Sequence, residues 1–152
     1  MRLHSAALLL CVFLPSPLLA TPPSHCTASE TVLWSCAAKR KVYSLCASRV
    51  LTSTEGYLQY RAGPFGKPEF LFPARTIPPA GQFTVATLAQ AVRVAFSNDG
   101  FLYEVFDPLK GEASIVVSRQ GRHVADVPCL NSTHSLTDTA TLSLLKAAGV
   151  GK

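Results

Sequence analysis

A chain of 152 residues is room for one domain and little else. Its net charge of +5 comes from 14 Lys and Arg against nine Asp and Glu. The cations are scattered except for Lys39-Arg40-Lys41, which excludes the basic stripe interleaved with aromatics that nucleic-acid binding requires.

The first twenty residues read as a secretory signal. Arg2 and His4 open it, Ala6 to Leu14 is an unbroken apolar run, and Pro15-Ser16-Pro17 precedes a small residue, Ala20, suited to the position before cleavage. The run falls short of the roughly 20 residues a bilayer span needs, so no transmembrane segment is expected in the mature chain. Cys11 is a poor lipidation site, because Leu8-Leu9-Leu10 stand where a small residue is required. Processing removes Arg2 and leaves 13 basic residues against nine acidic, a mature charge of +4.

Thr21 to His25 is a Pro-containing lead expected to be mobile, and one domain is expected from residue 26 to the end. Thr31 to Cys36 and Val42 to Ala47 are rich in β-branched and aromatic residues and flank the basic stretch Ala38 to Lys41, a hairpin pattern. Tyr57 to Arg61 alternates and is turned by Gly63-Pro64-Phe65-Gly66; Glu69 to Phe72 is a further short strand, and the Pro-rich residues 73–81 form a loop. Residues 84–91 fit a helix by their alanines and a strand by Val85 and Thr87. Val92 to Phe96 and Phe101 to Val105 alternate on either side of Asn98-Asp99-Gly100, which tolerates the positive φ of a tight hairpin. Ser114 to Ser118 and His123 to Val127 make another hairpin around Gln120-Gly121. Ser135 and Asp138 resemble a capping box, Leu136, Ala140, Leu144 and Ala147 recur at helical spacing, and Gly149 closes a helix over 137–148. The whole is mostly β: about eight short antiparallel strands in a sandwich or open barrel, with one C-terminal helix.

Cys26, Cys36, Cys46 and Cys129 remain after processing, an even number that implies two disulfides in an exported chain. Zinc is disfavoured, since no Cys-x-x-Cys pair occurs and no histidine stands at ligand spacing from another. Cys36 and Cys46 fall at opposite ends of the first hairpin, and the first strand separates Cys26 from Cys36. Cys26–Cys46 with Cys36–Cys129 is the pairing this favours, although a shifted turn would restore Cys36–Cys46.

No catalytic set or cofactor site is evident. There is no Gly-x-Ser-x-Gly elbow. His123 stands within cross-sheet reach of Asp126 or Glu104, but an exposed strand histidine is the plainer reading. Glu55, Glu69, Glu104 and Glu112 offer carboxylates without the spacing of a glycosidase pair. Trp34 reads as core against a disulfide, and Asn131-Ser132-Thr133 as a chance glycosylation triplet. Alternation puts Leu58 and Tyr60 on the core face and Tyr57, Gln59 and Arg61 on an exposed polar-aromatic strip, with Glu69 a natural partner for Arg61. That strip and the Lys39-Arg40-Lys41 tip are the candidate contact surfaces.

Three blocks of residues carry a resemblance. Glu30-Thr31, Ser35-Cys36, Lys41-Val42 and Leu45-Cys46-Ala47-Ser48 form the first; Tyr57-Leu58-Gln59-Tyr60-Arg61, Gly63 and Gly66-Lys67-Pro68-Glu69 the second; Val124 to Cys129 the third. Over residues 26–129 the chain resembles a widespread group of small exported proteins of Gram-negative bacteria, although residues 82–97 are Val/Ala-rich where members often carry a longer, glycine-rich middle. The group has no settled activity, so the resemblance implies a periplasmic or extracellular location and transfers no mechanism. A looser likeness, in size and architecture, is to periplasmic lysozyme inhibitors. The expected function is therefore binding without catalysis: an inhibitor or immunity-type protein that occludes another envelope or secreted protein such as a cell-wall hydrolase, an acidic one suiting the +4 charge better than a basic one. The alternative is an anionic envelope component, lipid or glycan, held by the basic tip.

Overall fold

The computed structural model describes residues 23–151. The signal segment and the first two residues of the lead lie outside them. Ten strands form two antiparallel five-stranded sheets, without closing a barrel, and one short helix follows. The first sheet contains β1 (Glu30–Ala38), β2 (Lys41–Ser48), β3 (Leu58–Gly63), β4 (Phe70–Phe72) and β10 (Asn131–Thr133) in the order β10-β1-β2-β3-β4. The second runs β5 (Thr84–Thr87), β6 (Ala91–Asn98), β7 (Phe101–Pro108), β8 (Ser114–Arg119) and β9 (Arg122–Pro128) in sequence order.

Local chemistry explains most of these elements. Asp99 and Gly100 take φ of 49° and 79°, so the β6–β7 hairpin turns on two residues of positive φ, matching the strand twist. Gln120-Gly121 repeats that geometry between β8 and β9. The ambiguous residues 84–91 hold a strand, because Val85 and Ala86 find ladder partners in Val94 and Arg93 that an isolated helix turn would lack. β10 was not expected. Its three residues pair with Ser35, Cys36 and Ala37, fixed by the neighbouring Cys129 bridge.

The sheets face each other across an aromatic layer. Tyr60 lies 5.0 Å from Phe96 between ring centroids, and Phe72 stacks on Phe96 at 4.3 Å. Trp34, Leu45, Leu58, Val94, Val105 and Ile115 complete the core, which also contains Cys36 and Cys129. Strict alternation fails in β1, where the register shifts between Val32 and Trp34 and both Leu33 and Trp34 are buried.

The helix, α1 (Thr139–Ala147), is shorter than expected and is rotated. Ala140 and Ala147 are exposed, whereas Thr141, Leu145 and Ala148 are buried. Ser135 and Asp138 do bond as the capping pattern suggests, Ser135 N–H donating to Asp138 Oδ2 at 3.4 Å and Thr137 N–H to Ser135 Oγ at 3.1 Å, but they close the turn before the helix, whose own N-cap is Asp138. The Ser135 hydroxyl is turned elsewhere. It donates to Asp107 Oδ2 at 2.9 Å, and the Leu136 N–H reaches the same oxygen at 2.7 Å. The approach to the helix is thus anchored on β7, and its start is displaced to Asp138. At the far end Gly149 N–H donates to Lys146 and Val150 N–H to Leu145, a Schellman closure.

Candidate functional site

Both disulfides join the favoured pairs, Cys26 to Cys46 and Cys36 to Cys129. Cys46 stands opposite Val32, four residues along β1 from Cys36, which is why the hairpin cannot close a bridge on itself. The Cys26 bridge draws the lead down onto the outer face of the first sheet, and this corrects two expectations.

The first correction is the lead, whose residues 23–25 are docked. His25 is buried, its N–H donating to Ser44 Oγ at 3.0 Å. Its Nε2 lies 3.0 Å from the Val42 carbonyl and 3.2 Å from that of Gly63, so it carries the proton toward them. Ser35 Oγ donates to the Pro23 carbonyl at 2.8 Å.

The second is the strip. Tyr57, Gln59 and Arg61 do share the outer face, but they are not exposed, because the lead and Glu30 cover them. Gln59 is buried and donates to the Pro73 carbonyl at 2.7 Å. Arg61 Nε donates to Gln59 Oε1 at 2.8 Å, and Nη1 to the His25 carbonyl at 2.8 Å. Its charge partner is Glu30, not Glu69, which is exposed. The guanidinium meets both carboxylate oxygens, and Tyr57 OH and the Thr27 N–H each donate to one of them at 2.6 Å. Burial raises the Glu30 carboxyl pKa, but donation by Arg61, Tyr57 and the Thr27 amide outweighs it and holds the group at about 2. The bond to Glu30 and burial push the Tyr57 phenol up. The strip is an internal network, satisfied by its own members.

The remaining candidate catalytic groups are not brought together. His123 is exposed opposite Ser118 and bonds to neither Asp126 nor Glu104. Glu104 pairs with Arg93 at 3.0 Å, while Glu55, Glu69 and Glu112 are exposed. No group of three His, Cys, Asp or Glu able to hold a metal occurs among the described residues.

Lys39, Arg40 and Lys41 are exposed at the β1–β2 turn, with Lys39 at φ 52°. None of them joins an ion pair among the described residues, where the two salt bridges are Arg61–Glu30 and Arg93–Glu104. Beside the turn is a cleft of about 410 Å³. Ala38, Tyr43, Val127, Pro128 and Leu130 give it apolar walls, and Asp126 contributes a carboxylate. Burial raises the Tyr43 phenol, which therefore stays neutral. The two walls are tied together by the Cys36–Cys129 bridge and by the Leu130 N–H, which donates to the Ala37 carbonyl at 2.8 Å. Sequence reasoning found the basic tip but not the cleft, because its second wall lies some ninety residues further along the chain.

No family model, curated protein or solved structure matches this chain. Two disulfides fit an oxidising compartment. No helix of the described residues is long and apolar enough to cross a membrane.

Proposed function

We propose that the chain is a non-catalytic binding protein of the periplasm or extracellular space that holds an anionic envelope component through its basic hairpin tip. One observation carries the reading: three adjacent cations stand exposed on a turn of a disulfide-tied hairpin, without internal acid partners, beside a cleft with apolar walls. Cations left over after a fold has made its ion pairs are free to meet an external anion, and a rigid turn loses little entropy in doing so. An occluding contact built on Tyr57, Gln59 and Arg61 would have to use side chains already spent on Glu30, His25 and Pro73. The resemblance to small exported proteins of Gram-negative bacteria supports the location.

The test is retention of the oxidised protein on an immobilised sulfated polysaccharide. Binding at low ionic strength should be lost near 1 M salt, where the Debye length falls to about 3 Å. It should also be lost in the double variant Arg40→Glu/Lys41→Glu, which leaves the positive φ of Lys39 untouched. Retention indifferent to both salt and charge reversal would remove the reading.

A further inference from the structure

The tip is not merely basic. Leu130 is 69% exposed, and it is held out by a fixed backbone rather than by a loose loop. Its N–H is bonded to Ala37, and the residue before it is locked in the Cys36–Cys129 bridge. A second apolar residue belongs to the same end of the molecule. Ser114 pairs with both Phe106 and Pro128, so the loop after β7 emerges beside the end of β9, about 10 Å away at two strand spacings. That loop carries Leu109, 64% exposed, followed by Lys110. Lys39, Arg40 and Lys41 line the cleft beside Leu130 with one carboxylate, Asp126; Lys110 and Glu112 lie in the loop after β7, and Lys67 and Glu69 in the turn packed on Gly63, itself paired with Val42. Cations are in excess.

We infer that this end docks on an anionic lipid surface, with Lys39, Arg40 and Lys41 against the headgroups and Leu130 entering the acyl boundary. The inference rests on the anion-binding reading of the tip and adds the source of the anion. A free polysaccharide would satisfy the cations but leave Leu130 and Leu109 in water. A bilayer interface takes both, because it presents negative charge at its surface and hydrocarbon a few ångströms below. Each cation near such a surface contributes about fivefold in affinity, and immersion of one leucine about tenfold. Binding is accordingly weak, reversible and sensitive to salt.

Co-sedimentation with vesicles tests this, using the oxidised and processed protein with its N-terminus established by mass spectrometry, so that the apolar run of residues 6–14 contributes nothing. Vesicles of phosphatidylcholine with an equal part of phosphatidylglycerol should retain it, and phosphatidylcholine alone should not. Leu130→Ser should weaken vesicle binding about tenfold and lower retention on the sulfated polysaccharide, which the three cations hold, by less than about twofold. In Leu130→Trp the added indole emission should shift to the blue on vesicle addition, against a constant background from the fully buried Trp34. Both changes lie on exposed surface, and an unchanged thermal midpoint would confirm that the variants are folded. Binding to the polysaccharide without binding to vesicles would overturn the lipid inference and leave the anion-binding reading standing. Vesicle binding unaffected by Leu130→Ser would do the same. Failure to bind either would end both.

Discussion

Arg61 reaches across β2 to grip Glu30. The two residues belong to β3 and β1, which are not neighbours in the sheet, and 31 positions separate them in the chain. The pair is deeply covered, with side-chain exposures of 11% and 2%. Such a bidentate contact is strong only while both charges are present; removing one leaves the other buried and uncompensated. Glu30→Gln keeps the shape and the acceptor oxygen but removes the charge. It should cost about 3 kcal/mol of unfolding free energy in urea titration. A cost below about 0.5 kcal/mol would place the pair with ordinary surface bridges.

The same carboxylate sets an acid limit on the fold. Its pKa falls from 4.5 to about 2 on folding, so the unfolded chain binds the proton more readily. The stabilisation is fully present above pH 4.5 and is lost as the pH falls from there toward 2. It is worth at most about 3 kcal/mol at neutral pH. Stability measured from pH 6 to pH 2 should decline in the parent protein, and Glu30→Gln should flatten that decline. Parallel curves would show that other carboxylates carry the acid sensitivity.

What was legible in the sequence was whatever chemistry is local. Asp99-Gly100 and Gln120-Gly121 declare their turns because few residues tolerate positive φ, and the alternation beside them fixes register and inward faces. The disulfide pairing was legible because a hairpin holds Cys36 and Cys46 apart. What stayed hidden depends on what covers what. Tyr57, Gln59 and Arg61 lie on the face that alternation assigns, but nothing in their spacing says that Pro23 to Cys26 will cover it. His25 looks like a polar residue in a loose lead, and it is a bridge between the Val42 and Gly63 carbonyls. The helix face was half legible: Leu136 is buried and Leu144 packs against the core, but Ala140 and Ala147 are apolar by type yet lie toward solvent, whereas the hydroxyl of Thr141 does not keep it out of the core.

The two disulfides should differ in what they contribute. Cys26–Cys46 spans 20 positions and Cys36–Cys129 spans 93. Loop-closure entropy in the unfolded chain makes the first worth about 3 kcal/mol and the second about 4.5 kcal/mol. Paired Cys→Ala variants, compared by denaturant titration, should show the larger loss for Cys36/Cys129. The smaller loss should come with a local signature, in that backbone amides of residues 23–26 should lose hydrogen-exchange protection in the Cys26/Cys46 variant. The reverse order of stability losses would mean that the docked lead, rather than chain entropy, dominates.

Gly63 ends β3 where the chain doubles back on itself, and a side chain has no place there. A Cβ at this position would lie 2.5 Å from the Lys67 carbonyl oxygen and 2.7 Å from the Glu69 nitrogen. Both are backbone atoms, and Glu69 N–H is committed to the Ala62 carbonyl at 2.9 Å, so neither can move without opening the β3–β4 connection. The Gly63 carbonyl is also one of the two that His25 holds. Gly63→Ala should therefore destabilise the protein by about 1–3 kcal/mol, the usual cost of forcing an extra carbon into filled space. The damage should be felt on both sides of the residue, as lost hydrogen-exchange protection in β4 and loosening of the lead over His25. If Gly63→Ala unfolded at the same denaturant concentration as the parent, the close approach at residues 67–69 would not be a feature of the folded protein in solution.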